Sequence, residues 1–187
     1  MQRKHFWLIT FVMVIGIMVM IFLFSGENAK RSSEKSSFFT EYLIEAVDKL
    51  LPAAEHKLPV RFTLDFLENI IRKCAHFMEY ALLSFFVNLH FYAGELLYIA
   101  GECTGKAGKK EAGGSGGYQR LNQGLSGLVL RSLCAILFCV LYAGTDELHQ
   151  YFVPGRACRL FDVGIDTLGA IFGLLLFLTL PKQKVTM

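Results

Sequence analysis

The chain has 187 residues, the length of about one domain, and 53% of them are hydrophobic, including 17 phenylalanines. Charged residues make up only 19%, and the formal net charge is +3, with the basic residues spread along the chain. This composition excludes a disordered or fibrous chain and argues against a nucleic-acid-binding protein. The five cysteines are odd in number and show neither a CxxC pair nor a zinc-ligand spacing.

The first apolar run covers residues 6–24, contains no charged residue and follows a short basic segment at residues 3–5. A secretory signal peptide also begins with basic residues, but its apolar core has only about 7–15 residues. Residues 27–29 make a poor cleavage site because they lack the small-x-small pattern. We therefore predict an uncleaved first membrane span, close to the roughly 20 residues that a helix needs to cross the hydrocarbon core.

A polar stretch follows the first span, and part of it has the pattern of an amphipathic helix. Its apolar residues recur at helical spacing, at Phe39, Leu43, Ala46, Val47, Leu50 and Leu51. Such a helix either lies in the headgroup layer or packs over the mouth of a helix bundle, and the sequence does not decide between the two.

Three further apolar runs cover residues 74–93, 128–145 and 160–180, each about one membrane thickness long. The segment 105–117 between the second and third runs holds six glycines and indicates a flexible linker. We therefore predict an all-α polytopic membrane protein, a single domain over residues 1–187, with four transmembrane helices and an amphipathic, interfacial helix in the first loop. The basic residues near both termini and in the glycine-rich segment favour placing both termini in the cytoplasm.

Polar side chains gather where the predicted spans begin and end. Because four spans alternate in direction, the start of the second, the end of the third and the start of the fourth lie on one membrane face, opposite the termini. An ionisable group at the centre of a span costs about 2.5–3.5 kcal/mol on insertion scales, so such groups must pair or face a wet cavity. We predict a polar cleft built from Arg72, His76, Glu79, Asp146, Glu147, His149, Gln150, Arg156, Asp162 and Asp166.

The fourth run also carries a helical stripe in which Asp162 and Asp166 continue into Gly169 and Gly173. Two glycines four residues apart let a second helix approach closely. The spacing therefore predicts that the two acids point toward a neighbouring helix rather than toward lipid.

Four readings of the cleft follow from the residues alone. The first interpretation is a ligand-binding site in which the planar guanidinium of Arg156 holds a phosphate or carboxylate. The second is an ion-pair network that only holds the helices together. The third interpretation is a hydrolase or transferase site. In it, either His76 acts as a base, or a divalent metal is bound by His76, Glu79, Asp146 and Glu147. The chain has neither an HExxH nor a G-x-S-x-G motif. A transporter is the fourth reading, and it would need a second copy of the chain, since no internal repeat is visible.

The same residues resemble the VanZ-like family of bacterial membrane proteins. The matching segments are Arg72-Lys73-x-Ala75-His76-Phe77-x-Glu79-Tyr80, Asp146-Glu147-x-His149-Gln150-x-Phe152, Pro154-Gly155-Arg156 and Asp162-x-x-x-Asp166-x-x-Gly169-Ala170-x-x-Gly173. The resemblance implies four spans in the bacterial cytoplasmic membrane and a link to glycopeptide tolerance, above all to teicoplanin. It implies membrane lipids, a lipid-linked envelope precursor or the glycopeptide as partners, and it supplies neither a reaction nor a cofactor. It extends to His76, Glu79, Asp146, Glu147, Gln150, Arg156, Asp162 and Asp166 as site residues without assigned roles.

Overall fold

The computed structural model describes residues 2–27, 60–105, 125–156 and 158–180, together with the single residues 42 and 45. Across these residues the chain is helical and has no strand, which confirms the all-α prediction. The helices are α1 (Gln2–Ser25), α2 (Val60–Gly105), α3 (Leu125–Tyr151) and α4 (Leu160–Thr179). The predicted interfacial helix, apart from two of its positions, and residues 106–117 of the predicted linker lie outside the described residues.

Three of these helices are long and apolar enough to cross a membrane: α1 over Lys4–Ser25, α3 over Gly127–Tyr151, and α4. The helix α2 is not among the spans found over the described residues. Its 46 residues extend for about 70 Å at about 1.5 Å per residue, roughly twice the hydrocarbon thickness. The helix α2 is therefore also much longer than the predicted span at residues 74–93.

The helices alternate in direction along the chain, as the sequence predicts. The ring of Trp7, near the start of α1, lies 5.0 Å from that of His90, toward the end of α2. At the other end of the bundle, Phe22 stacks on His149 with a centroid distance of 4.2 Å. These contacts make α1 antiparallel to α2 and parallel to α3. The helix α2 contacts the other three helices, and α4 runs parallel to it.

The closest approach in the bundle lies between α4 and α2, at the glycine stripe. A Cβ atom built on Gly169 would overlap the carbonyl of Phe77, and one built on Gly173 would overlap the carbonyl of Ala81. The stripe therefore packs against α2, and this contact brings the first turns of α4 beside Arg72 and Lys73.

The bundle has an apolar interior and an apolar exterior. Its interior is formed mainly by small and branched side chains, namely Val14, Ile17, Ile21, Leu83, Val87, Ala135, Cys139, Ala143 and Ala170. Large side chains such as Leu130, Leu141 and Leu168 are at least 60% exposed. In water this surface would be strongly unfavourable, whereas it fits a helix bundle surrounded by lipid.

Candidate functional site

A polar cavity of about 150 Å³ lies at the end of the bundle where α2 enters and α3 ends. Its wall is formed by Asn69, Arg72, Lys73, His76, Glu147, Gln150, Gly155, Arg156, Arg159, Asp162, Ile165 and Asp166. Seven of the ten predicted cleft residues line it directly, namely Arg72, His76, Glu147, Gln150, Arg156, Asp162 and Asp166. The structure thus brings side chains from α2, α3, α4 and the α3–α4 connection to one place.

On the side formed by α2 and α4, an ion pair closes the wall. The Nζ atom of Lys73 lies 2.6 Å from Oδ1 of Asp162. The same Nζ lies 4.6 Å from the centre of the Phe161 ring, which is itself exposed. Because both partners of the ion pair are about one-third exposed, it contributes little to stability and mainly marks the rim of the cavity.

The α3 side is a chain of hydrogen bonds that starts on a buried carboxylate. Gln150 donates from Nε2 to Oδ2 of Asp146 at 3.1 Å, and its Oε1 accepts from Arg156 at 3.2 Å. One turn away, Glu147 accepts the backbone N–H of Arg159 at 3.1 Å. These bonds fix the second half of the α3–α4 connection against the end of α3.

Arg156 joins this connection to the end of α1. Its Nε donates to the carbonyl of Glu27 at 3.0 Å, and one of its terminal nitrogens donates to the carbonyl of Phe24 at 3.4 Å. The last carbonyls of a helix lack intrahelical partners and carry the negative end of the helix dipole, so a guanidinium is well suited to this position. Burial lowers the pKa of Arg156, and the nearby positive charge of Arg72 lowers it further.

The turn that carries Arg156 depends on a glycine. Gly155 has a φ of 81°, in the left-handed region that other residues rarely adopt. It follows Pro154, and the backbone N–H of Arg156 donates to the carbonyl of Val153 at 3.1 Å. The Pro154-Gly155-Arg156 segment is thus a tight turn that aims the guanidinium back toward the bundle.

Three predicted cleft residues do not line the cavity. Glu79 lies one turn deeper on α2, with Oε2 3.4 Å from Nδ1 of His76. Asp146 lies behind Gln150, to which it is hydrogen bonded. His149 faces α1 and stacks on Phe22. Glu79 and Asp146 therefore back residues of the cavity wall, whereas His149 contributes to the contact between α3 and α1.

Several buried polar atoms around the cavity have no hydrogen-bond partner among the described residues. They include Oδ1 of Asp166, Oδ1 of Asp146 and Nε of Arg72. An unsatisfied buried polar group costs about 1–3 kcal/mol, so such atoms are suited to bind water or a polar ligand. No three His, Cys, Asp or Glu side chains in the described part of the chain are grouped as a metal site would require.

Five residues of the wall are absent from the predicted cleft, although Lys73 and Gly155 belong to the sequence motifs beside it: Asn69, Lys73, Gly155, Arg159 and Ile165. Asn69 lies three residues before Arg72 and Lys73 three residues before His76, so helical spacing would have placed them on the same face of α2. Arg159 offers no such signal, because the contact described for it is made by its backbone N–H.

The chain was compared with known protein families, with curated proteins and with solved structures. The profile of the VanZ/LLP1 family matches residues 10–181, which include α2, α3 and α4 in full, two thirds of α1 and every residue of the cavity wall. No curated protein and no solved structure matches the chain. The family match confirms the resemblance drawn from the polar motifs, and the chain belongs to the VanZ/LLP1 family.

Proposed function

We propose that the chain is a four-span protein of the bacterial cytoplasmic membrane, with both termini in the cytoplasm and its polar cavity open to the outer face. Three apolar helices support this topology, and α2 supplies the fourth span because it packs lengthwise between α1 and α4. The basic residues near the termini and in the glycine-rich segment support the orientation.

We further infer that the cavity binds a negatively charged group of an envelope molecule. The observation that carries this proposal is the charge of the wall, where four basic side chains face three carboxylates. One of those carboxylates, Asp162, is already paired with Lys73. Another, Glu147, accepts a backbone N–H. The basic excess, together with the buried unpartnered nitrogen of Arg72, favours an anion such as a phosphate.

Membership of the family supports a link between this binding and teicoplanin-type tolerance. Glycopeptides act outside the cytoplasmic membrane on lipid-linked cell-wall precursors, so a cavity on the outer face is in the right compartment. We propose that the protein contributes to tolerance by binding an envelope lipid or precursor there.

A second candidate function is a membrane-embedded hydrolase or transferase. The observation that favours it is the proximity of Glu79, whose Oε2 lies 3.4 Å from Nδ1 of His76 without a hydrogen bond in this structure. A small movement that formed this bond would orient the imidazole as a general base. His76 also lines the cavity, so a bound ligand would meet its ring.

The binding proposal is tested by glycopeptide susceptibility in cells that express the protein. We expect His76→Ala to abolish the tolerance that the wild type confers, because the change opens the cavity wall at its centre. The control is His90→Ala, which removes the same residue type from α2 at the opposite end of the bundle and is expected to leave tolerance unchanged at equal protein level. Equal loss in both variants, or a loss explained by lower protein abundance, would favour a purely structural role for the polar network.

A further inference from the structure

The basic side chains of the cavity wall are not equally available to a ligand. Arg156 already donates to two carbonyls and to Gln150. Lys73 is paired with Asp162. Arg72 differs from both, because its Nε is buried at the cavity and has no hydrogen-bond partner among the described residues. A guanidinium binds phosphate oxygens through parallel N–H donors, so Arg72 is the residue best placed to hold an anion.

Another part of the wall offers a hydrogen-bond acceptor to a ligand. Asp166 is only 3% exposed, lines the cavity, and its Oδ1 has no hydrogen-bond partner in the described part of the chain. A carboxyl oxygen without a partner can accept a hydrogen bond, and a hydroxyl or an amine on a ligand supplies the matching donor. A ligand that satisfies both Arg72 and Asp166 carries a phosphate and a donor a few atoms away.

The rim of the cavity adjoins an apolar surface. Leu160 is 87% exposed and Phe161 is 70% exposed, both in the first turn of α4. The Phe161 ring lies directly beneath Lys73, which belongs to the cavity wall. A phosphate-binding wall that continues into an exposed apolar surface matches an amphiphile with a charged head and hydrocarbon tails. A free phosphate has no apolar part that could pack against Phe161.

The size of the cavity limits the head of such a ligand. Its volume of about 150 Å³ is roughly ten times the minimum space that one water molecule requires. This space accommodates a small headgroup such as glycerol phosphate.

We propose that the ligand is a phospholipid whose headgroup carries a hydroxyl, with its phosphate on Arg72, its hydroxyl on Asp166 and its acyl chains along Leu160 and Phe161. This inference rests on the proposed function and narrows it from any anionic envelope molecule to a bilayer lipid. The lipid reaches the site sideways, from the membrane.

Native mass spectrometry of the purified full chain tests the inference. The protein in detergent is titrated with phosphatidylglycerol or with phosphatidylcholine of the same acyl chains. We expect phosphatidylglycerol to bind at least about tenfold more tightly, and Arg72→Gln to weaken that binding by about tenfold or more, the size expected from losing a charged hydrogen bond. Lys4→Gln is the control, since it removes one exposed positive charge at the opposite end of the bundle and is expected to change nothing.

Two further measurements distinguish binding of a lipid from binding of a soluble phosphate, and they remain informative if Arg72→Gln misfolds. Phe161→Gln is expected to weaken phosphatidylglycerol binding without changing the binding of soluble glycerol phosphate. If Arg72→Gln does not fold, Phe161→Gln decides the question alone. Binding of glycerol phosphate but not of phosphatidylglycerol would overturn the lipid inference and leave anion binding intact. Binding of neither would overturn both, and equal binding of the two lipids would overturn the inference.

Discussion

Replacing Gly173 by alanine is expected to destabilise the bundle by about 1–3 kcal/mol, the usual cost of overpacking a tight interface. The added Cβ would overlap the carbonyl of Ala81, and a backbone atom of a packed helix cannot move aside as a flexible side chain can. The helix α4 would therefore have to shift away from α2, and the cavity wall that these helices share would open. Gly169→Ala is expected to act in the same way through Phe77. Thermal unfolding of the purified protein in detergent measures both effects.

Gly164 provides the matched control on the same helix. A Cβ atom placed there meets nothing within 4 Å. Gly164→Ala is therefore expected to be neutral, or to stabilise by up to about 1 kcal/mol through better helix propensity. If all three alanine variants melt at the same temperature as the wild type, α4 and α2 do not make this close contact in the protein.

Arg156→Lys is expected to loosen the α3–α4 connection from α1, even though it preserves the charge. Lysine is a point charge and cannot reproduce the separate donations to Glu27, Phe24 and Gln150. Hydrogen bonds from a charged group contribute about 1.5–3 kcal/mol. We therefore expect a lower melting temperature and faster hydrogen exchange at the end of α1, measured by mass spectrometry.

Arg159→Lys is the comparison for Arg156→Lys. The contact described for Arg159 is made by its backbone N–H, which a lysine keeps. Its melting temperature and the exchange at the end of α1 should stay at wild-type values. Equal exchange in the two variants would mean that the fork of Arg156 does not hold α1.

The apolar runs predicted the positions of α1, α3 and α4 well, because lipid imposes both the length and the composition of a spanning helix. The full length of α2 was not predicted. The four-residue repeat of Phe62, Phe66, Ile70 and Cys74 does indicate a helix that leads into the span, as the structure has it from Val60. The continuation to Gly105 was not predicted, because hydropathy falls away outside the core of the membrane. The helix α3 also extends to Tyr151, past the predicted end of its span at residue 145. It continues because Asp146 and Gln150 face the bundle interior and bond to each other.

The convergence of the polar residues was predictable for a simple physical reason. Hydrocarbon does not tolerate isolated charges, so acids and bases near the ends of spans must meet one another or water. The partners of each residue were not predictable. Nothing in the sequence shows that Arg156 would bond to the end of α1, because those acceptors are backbone carbonyls that every residue possesses. Likewise, His149 has the spacing of a cleft residue, yet its ring stacks on Phe22.

We propose that the polar cavity between α2, α3 and α4 opens to the outside of the cell. Single-cysteine variants of α4, treated in intact cells with a charged, membrane-impermeant thiol reagent, test it directly. Ile165 lines the cavity. Leu168 is exposed on the outer surface of the bundle, where we expect it to face lipid. The exposed Cys158 lies in the α3–α4 connection, which we expect on the same membrane face as the cavity. We predict labelling at positions 158 and 165 and none at 168. Labelling of position 165 only after the membrane is permeabilised, or no labelling there at all, would contradict the account.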